Sequence, residues 1–117
     1  MKKTVLVVDD HAIFRVIARR LLEAEGYDVV GEAEDGASAI EAVRDLRPDA
    51  VLLDVHLPDF DGFQVASRLT SHTNGLVVIL TSSYDDWGTG PSLGECGAHG
   101  FIQKDKLTAE SLAEIMP

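Results

Sequence analysis

Short runs of Val, Ile and Leu alternate along the chain with longer stretches in which apolar residues recur every three or four positions. Such runs are typical of buried parallel strands. They predict strands at residues 4–9, 27–31, 49–53, 76–81 and 100–103. The second is less continuously apolar than the first, which favours a place at the edge of the sheet. Strands that alternate with helices predict an α/β fold with right-handed crossovers and helices on both faces of the sheet.

The stretches between these strands predict amphipathic helices, each with one apolar face. The first helix spans residues 11–25 and stops at Gly26. The second ends before Pro48, because the residue preceding proline disfavours the helical region. The third ends near residues 73–75, and Thr108 is placed to cap the last. The apolar positions that define the four faces are Ile13, Val16, Ile17, Leu21 and Ala24; Ala39, Ile40, Val43 and Leu46; Phe63, Ala66 and Leu69; and Leu112, Ile115 and Met116.

Residues 84–97 occupy the place of a fourth helix but are poor helix formers. Their helix-breaking residues are Gly88, Gly90, Pro91, Gly94 and Gly97. Relative to alanine, a glycine within a helix costs about 1 kcal/mol and a proline about 3 kcal/mol. We therefore expect the fourth helix to be short or disordered, with any helical turns confined to residues 91–96, where a proline in the first turn is tolerated.

Composition narrows the class of protein. A chain of 117 residues, 45% of them apolar, suits one domain with a single core. A formal net charge of −10 would repel phosphate backbones, so we expect no direct binding to nucleic acid. The apolar runs are too short to span a bilayer, and the lone cysteine, Cys96, excludes an internal disulfide. These features predict a cytoplasmic protein without a membrane partner.

Polar side chains that can do chemistry stand where four of the predicted strands end. They are Asp9 with Asp10, then Asp54, Thr81 and Lys104. In an open parallel sheet the ligand site lies at the carboxyl ends of the strands, so the fold would gather these side chains in one pocket. Three carboxylates suit Mg²⁺, which prefers oxygen ligands. The simpler alternatives are that Asp10 only caps the first helix and that Lys104 is an ordinary surface lysine.

The same residues indicate phosphoryl transfer. Asp54 ends a nearly all-apolar strand, where a charged group must be paired or functional. A carboxylate can act as a nucleophile and form an acyl phosphate. A divalent cation and Lys104 would then neutralise the charge that builds on the phosphoryl oxygens. The hydroxyl of Thr81 can hydrogen-bond a phosphoryl oxygen, although threonine is also common at strand ends because of its β propensity.

The chain resembles the receiver domains of two-component response regulators, the CheY-like superfamily. The matching segments occur in the family's order at residues 7–10, 52–62, 79–82 and 97–104. The resemblance covers residues 1–117 as one domain and implies a doubly wound (βα)5, flavodoxin-like fold with a five-stranded parallel sheet in the order 2-1-3-4-5. Residues 100–105 are similar to receivers attached to helix-turn-helix output domains, which implies control of transcription through an output domain absent from this chain.

The resemblance also implies a role for each residue of the pocket. Asp54 would take a phosphoryl group from a phosphohistidine on a sensor kinase. The protein would catalyse this transfer, and its reversal by hydrolysis, on itself, and would not be an enzyme for a separate substrate. Asp9, Asp10 and Asp54 would hold Mg²⁺ together with the backbone carbonyl of His56. Lys104 would pair with the phosphoryl group.

Activation is expected to follow from two further residues. On phosphorylation Thr81 would turn toward the phosphoryl group, and Phe101 would swing inward as the aromatic switch. The local charge change would repack the surface around the fourth and fifth strands. That surface would contact a downstream protein or the output domain and would allow a homodimer on activation.

Two other functions fit parts of the pattern. A phosphohydrolase of the haloacid dehalogenase type also uses an aspartate nucleophile. It needs a second acid two residues later, where this chain has His56, and the chain is too short for its cap domain. A receiver-shaped interaction module that works without phosphorylation is the other alternative. Loss of one of the four charged pocket residues would favour it, and all four are present.

Overall fold

The computed structural model describes residues 2–83 and 96–116. The strands in these residues are β1 (Thr4–Val8), β2 (Asp28–Ala33), β3 (Ala50–Asp54), β4 (Val77–Ser82) and β5 (Gly100–Gln103). The helices are α1 (Ala12–Ala24), α2 (Gly36–Leu46), α3 (Gly62–His72) and the C-terminal helix (Ala109–Ile115). Every strand and helix predicted within the described ranges is present, with small shifts at the ends. The prediction for the fourth helix falls on residues 84–95, which lie outside the described residues.

The five strands form one sheet in which every neighbouring pair is parallel, in the order β2-β1-β3-β4-β5. This order confirms the predicted doubly wound fold, and β2 lies at an edge as its less apolar sequence predicted. The central strands β1 and β3 are buried along almost their whole length. Because the strands are parallel, their carboxyl ends all lie along one edge of the sheet, which runs across the strands and differs from the side edge formed by β2.

Two apolar layers cover the two faces of the sheet. One layer contains the buried side chains of α2 and α3, among them Val43 and Leu69. The other contains Leu22 of α1 together with Leu112 and Met116 at the C-terminal helix. Successive side chains of a strand point to opposite faces, so the central strands contribute to both layers. The sheet is therefore covered by helices on both sides.

The buried face of α1 differs from the predicted one. Ile13, Val16 and Ile17 are exposed over 76%, 48% and 56% of their surface, and Ala24 is exposed as well. The residues that pack on the sheet are Phe14, Ala18, Leu21 and Leu22. The helix carries two apolar stripes, both spaced for one helical face, and only contact with the sheet selects between them. The prediction was therefore wrong for four of its five positions and right for Leu21.

Side chains fix where three of the helices begin. Asp35 accepts a hydrogen bond from a backbone N–H at the start of α2. Asp61 and Gln64 form a capping box at the start of α3, and Thr108 caps the C-terminal helix as predicted. Each such cap stabilises its helix by about 1 kcal/mol. None of the helices in the part of the chain that the structure describes is long and apolar enough to cross a membrane.

The two stripes of α1 can be distinguished by truncation. Leu22 is only 1% exposed, so Leu22→Ala should lower the free energy of unfolding by about 2–5 kcal/mol. Ile17 on the other stripe is 56% exposed, and Ile17→Ala should change it by about 0.5 kcal/mol or less. Urea unfolding followed by circular dichroism measures both. A larger loss for Ile17→Ala than for Leu22→Ala would contradict the observed orientation of the helix.

Candidate functional site

The candidate site lies at the edge of the sheet where four strands end. Asp54 is the last residue of β3, and Thr81 lies directly beside it in β4. Asp9 follows β1, and Lys104 follows β5. Asp9, Asp54 and Thr81 are completely or almost completely buried. The fold therefore brings together residues that are far apart in sequence, as the strand-end positions predicted.

The ammonium of Lys104 connects two buried carboxylates. Its Nζ lies 2.6 Å from Asp9 Oδ2 and donates a hydrogen bond to Asp54 Oδ2 at 3.3 Å. The Lys104 side chain is only 11% exposed. A buried charge requires a partner of this kind. The interpretation of Lys104 as an ordinary surface lysine is therefore wrong.

Asp54 is held in an environment that disfavours its charge. Burial is the largest influence and raises the pKa of this carboxyl group. A hydrogen bond from the backbone N–H of His56, 3.1 Å from Asp54 Oδ1, lowers it. The negative charge of Asp9 raises it and Lys104 lowers it, and the net shift is upward. A cation placed beside Asp54 would relieve this unfavourable charge.

Asp9 and Asp10 are held side by side by the next residue of the chain. Nδ1 of His11 lies 3.0 Å from Asp9 Oδ1 and 3.1 Å from Asp10 Oδ1, and the His11 backbone N–H donates to Asp9 Oδ1 at 2.8 Å. His11 is also the N-cap residue of α1, so the alternative that Asp10 caps this helix is wrong. Sequence analysis did not select His11, and its place directly after the two aspartates was the available signal.

The donor atoms of the site fit a hard divalent cation. Asp9, Asp10, His11 and Asp54 each offer one ligand atom, and these four atoms lie within 4.8 Å of one another. Oδ2 of Asp9 is buried and forms an ion pair with Lys104. No described residue donates a well-aligned hydrogen bond to it. Carboxylate oxygens suit Mg²⁺, which retains several waters, and the exposed Asp10 lies on the solvent side of the cluster. The side chains present are therefore compatible with the predicted magnesium site.

The loop between β3 and α3 folds back onto the end of β3. The backbone N–H of Gly62 donates to the carbonyl of Val55 at 2.6 Å. A Cβ atom at Gly62 would lie 2.5 Å from the carbonyl oxygen of Asp54, so only glycine allows this close approach. The loop places His56 two residues beyond Asp54, with an exposed side chain. Its backbone N–H contacts the Asp54 carboxylate, and its carbonyl is the group predicted to bind the metal.

Asp59 ties the same loop to α2. Its carboxylate accepts hydrogen bonds from the backbone N–H groups of Gly36 at 2.7 Å and Ala37 at 3.0 Å. Desolvation raises the pKa of Asp59. The hydrogen bonds from backbone N–H groups, those of Gly36 and Ala37 first, together outweigh this effect, so the net shift of the pKa is downward. Sequence analysis did not identify this contact, because an aspartate in a loop is common. The loop that carries the carbonyl of His56 is therefore held both near the end of β3 and at the start of α2.

Thr81 and Phe101, the two residues predicted to form the switch, lie in the neighbouring strands β4 and β5. Oγ1 of Thr81 is buried and has no hydrogen-bond partner within the described ranges, which is uncommon for a buried hydroxyl. It is therefore available to an incoming acceptor. Phe101 lies opposite Leu80 in the pairing of β4 with β5. Its ring is partly buried against the apolar layer of α2 and α3.

Comparison with known sequences agrees with this geometry. The profile of the response regulator receiver domain matches residues 5–116. The chain belongs to this family. The receiver is also 38% identical over 116 residues to the transcriptional regulatory protein NarL of Mycobacterium tuberculosis, a match that covers 98% of the receiver and 54% of that protein. The receiver thus spans about half the length of the curated relatives it matches.

Solved structures share the fold. The signal receiver domain of NarL from Mycobacterium tuberculosis is 37% identical, with a TM-score of 0.85, and the alignment covers 98% of this receiver and 94% of that chain. A CheX–CheY–BeF3–Mg²⁺ complex from Borrelia burgdorferi is 27% identical, with a TM-score of 0.84 and coverage of 97% and 87%. The sheet order and the edge at which the strands end are therefore those of a receiver domain.

The raised pKa of Asp54 gives a signed prediction for stability. Between the unfolded pKa of about 3.9 and the higher folded pKa, the native state binds more protons, so the free energy of unfolding falls as pH rises. Asp54→Asn removes this cost. The variant should therefore be more stable than the wild type at pH 7, and the difference should shrink as pH falls through the folded pKa of Asp54.

Thermal unfolding from pH 7 down to pH 4 measures this difference. Asp45→Asn is the matched control, since Asp45 is an exposed aspartate on α2 and its replacement should show no comparable gain. An Asp54→Asn variant that is less stable than the wild type at pH 7 would show that Lys104 outweighs burial.

Proposed function

We propose that the receiver is a phospho-acceptor switch in which Asp54 takes a phosphoryl group from the phosphohistidine of a sensor kinase. The observation that carries this proposal is the buried Lys104 ammonium, which contacts Asp54 on one side and Asp9 on the other. Charged groups of both signs at the end of an apolar strand are costly to bury even when they are paired, and such clusters are concentrated at functional sites. The arrangement supplies a nucleophile and a fixed positive charge beside it.

The proposed transfer is an in-line displacement at phosphorus. An oxygen of the Asp54 carboxylate forms the new bond to phosphorus, the bond to the kinase imidazole breaks, and the imidazole leaves with the electron pair and takes up a proton. Hydrolysis of the acyl phosphate later returns Asp54 to its free form. Burial keeps competing water away from the carboxylate, and the contact with Lys104 orients it.

Asp9, Asp10 and Asp54, with the backbone carbonyl of His56, would hold Mg²⁺. The bound ion would neutralise negative charge on the phosphoryl oxygens. The cluster of donor atoms around Asp10 supports this assignment, as does the presence of Mg²⁺ and BeF3 in the complex of the related CheY chain. Lys104, which already contacts Asp54, would add a second positive charge near the phosphoryl oxygens.

The change at Asp54 would be relayed through Thr81 and Phe101. The unpaired hydroxyl of Thr81 would donate to a phosphoryl oxygen, since it lies beside Asp54 in the sheet. Its movement would let Phe101 repack and alter the surface of β4 and β5. We propose that this surface acts on an output domain and forms a homodimer on activation, and that the output is control of transcription in the cytoplasm. The relation to NarL supports that output.

The proposed acceptor can be tested by intact mass spectrometry after incubation with acetyl phosphate. With Mg²⁺ the wild type should gain one phosphoryl group, and without Mg²⁺ or in Asp54→Asn the gain should be lost. Asp61→Asn is the matched control, because Asp61 lies in the loop that follows Asp54 and asparagine preserves its cap on α3. It should gain the phosphoryl group like the wild type. An undiminished gain in Asp54→Asn would refute the assignment of the acceptor.

The switch can be tested with a pair of variants at Thr81. Thr81→Val keeps the shape but removes the hydroxyl. Because that hydroxyl is unpaired, the free energy of unfolding should change by no more than about 1 kcal/mol. Phosphoryl acceptance should persist, but the chemical-shift changes of Phe101 on adding BeF3 and Mg²⁺ should disappear. Thr81→Ser, which keeps a hydroxyl, should retain them. Equal responses in both variants would exclude Thr81 from the relay.

A further inference from the structure

An aromatic ring lies against the ammonium of Lys104. The Nζ atom is 4.8 Å from the centroid of the Phe14 ring. This distance is within the range of about 6 Å over which a ring face attracts a cation. The same Nζ contacts Asp9 at 2.6 Å and Asp54 at 3.3 Å. Phe14 is therefore the third group that defines where this charge lies.

Two elements of the fold, α1 and β5, bring the Phe14 ring and the Lys104 ammonium together. Phe14 is in the first turn of α1, directly after the loop that carries Asp9. Its ring is partly buried in the apolar layer beneath α1, to which Ile102 of β5 also belongs. Lys104 follows the end of the same strand. The ring thus belongs to the helix that begins after the acidic loop, and it packs in the same apolar layer as the strand that precedes Lys104.

The chemistry of the ring complements the carboxylates. A carboxylate attracts the ammonium but also neutralises it, whereas a ring face attracts it through its quadrupole and leaves the net positive charge in place. The ring also covers one side of the ammonium, and the Lys104 side chain as a whole is only 11% exposed. When Asp54 reacts, Lys104 must turn from the carboxylate to a phosphoryl oxygen. A partner without lone pairs does not compete with that oxygen.

We propose that Phe14 is a positioning residue for Lys104: its ring face holds the ammonium beside Asp9 and Asp54, so that the charge is in place for phosphoryl transfer. This role rests on the proposed function of Asp54 as the phosphoryl acceptor. It is distinct from filling space in the apolar layer, because it depends on the electrons of the ring and not only on its size.

Fluorination separates these two roles, because it weakens the negative face of the ring while nearly preserving its shape. Phenylalanine at position 14 is replaced by its mono-, di- and trifluorinated forms through site-specific incorporation. The rate of Mg²⁺-dependent phosphorylation by acetyl phosphate is measured for each. We expect the rate to fall stepwise with fluorine content, by about threefold to tenfold for the trifluorinated ring. The same series at Phe63, a ring in the opposite apolar layer, should leave the rate unchanged.

A spectroscopic measurement reports the contact without any phosphodonor. Protons on Cε of Lys104 should show an upfield ring-current shift in the wild type and in Phe14→Tyr, and this shift should vanish in Phe14→Leu. The phosphorylation rate should follow the same order, with Phe14→Tyr close to the wild type. Loss of the rate in Phe14→Tyr, with the ring-current shift intact and the protein folded, would overturn the proposal.

Failure of this proposal can be told from failure of the proposed function. A wild type that accepts phosphoryl groups, combined with equal rates across the fluorinated series at position 14, overturns only the role of Phe14. A wild type that accepts none, under conditions in which it is folded, overturns the proposed function of Asp54 and the role of Phe14 with it. A stepwise fall at Phe63 equal to that at Phe14 would indicate a general effect of fluorine and would also overturn the proposal.

Discussion

The contacts of Lys104 with Asp9 and Asp54 are the interaction on which the rest of the site depends. Two carboxylates buried this close together repel each other, and burial alone raises the pKa of Asp54. The ammonium at 2.6 Å and 3.3 Å offsets part of both effects. It is balanced in turn by the two acids and by the Phe14 ring. The charges of the pocket are therefore compensated only in part, which is compatible with the binding of a cation.

Backbone geometry keeps this pocket in place. The carboxyl ends of parallel strands fix Asp54 beside Thr81, and no single loop has to position both. Around them, Gly62 lets the following loop approach the carbonyl of Asp54, and Asp59 fastens that loop to α2. Asp54 and Thr81 lie on the sheet itself, whereas Asp9, Asp10 and Lys104 lie in the segments that follow its strands.

Much of the fold follows from local patterns, and the residues that were predicted wrongly show where such patterns stop being sufficient. The apolar runs of β1, β3 and β4 are short and rich in Val, Ile and Leu, which favours buried strands, so the element order was predicted correctly. In α1 both apolar stripes have helical spacing, and the prediction took Ile13 and Ile17 where the sheet buries Ala18 and Leu22. Helical period does not reveal which stripe faces the sheet.

The sequence by itself determined the alternation of strands and helices, the parallel sheet and the acids, hydroxyl and lysine at its edge, because each depends on neighbours within a few residues. Only the tertiary structure decided that Lys104 is buried between two carboxylates, that His11 contacts both members of the acid pair and that Phe14 lies against the ammonium. These contacts join β1, α1, β3 and the end of β5. Their distances are set by the packing of helices on the sheet, which no local pattern encodes.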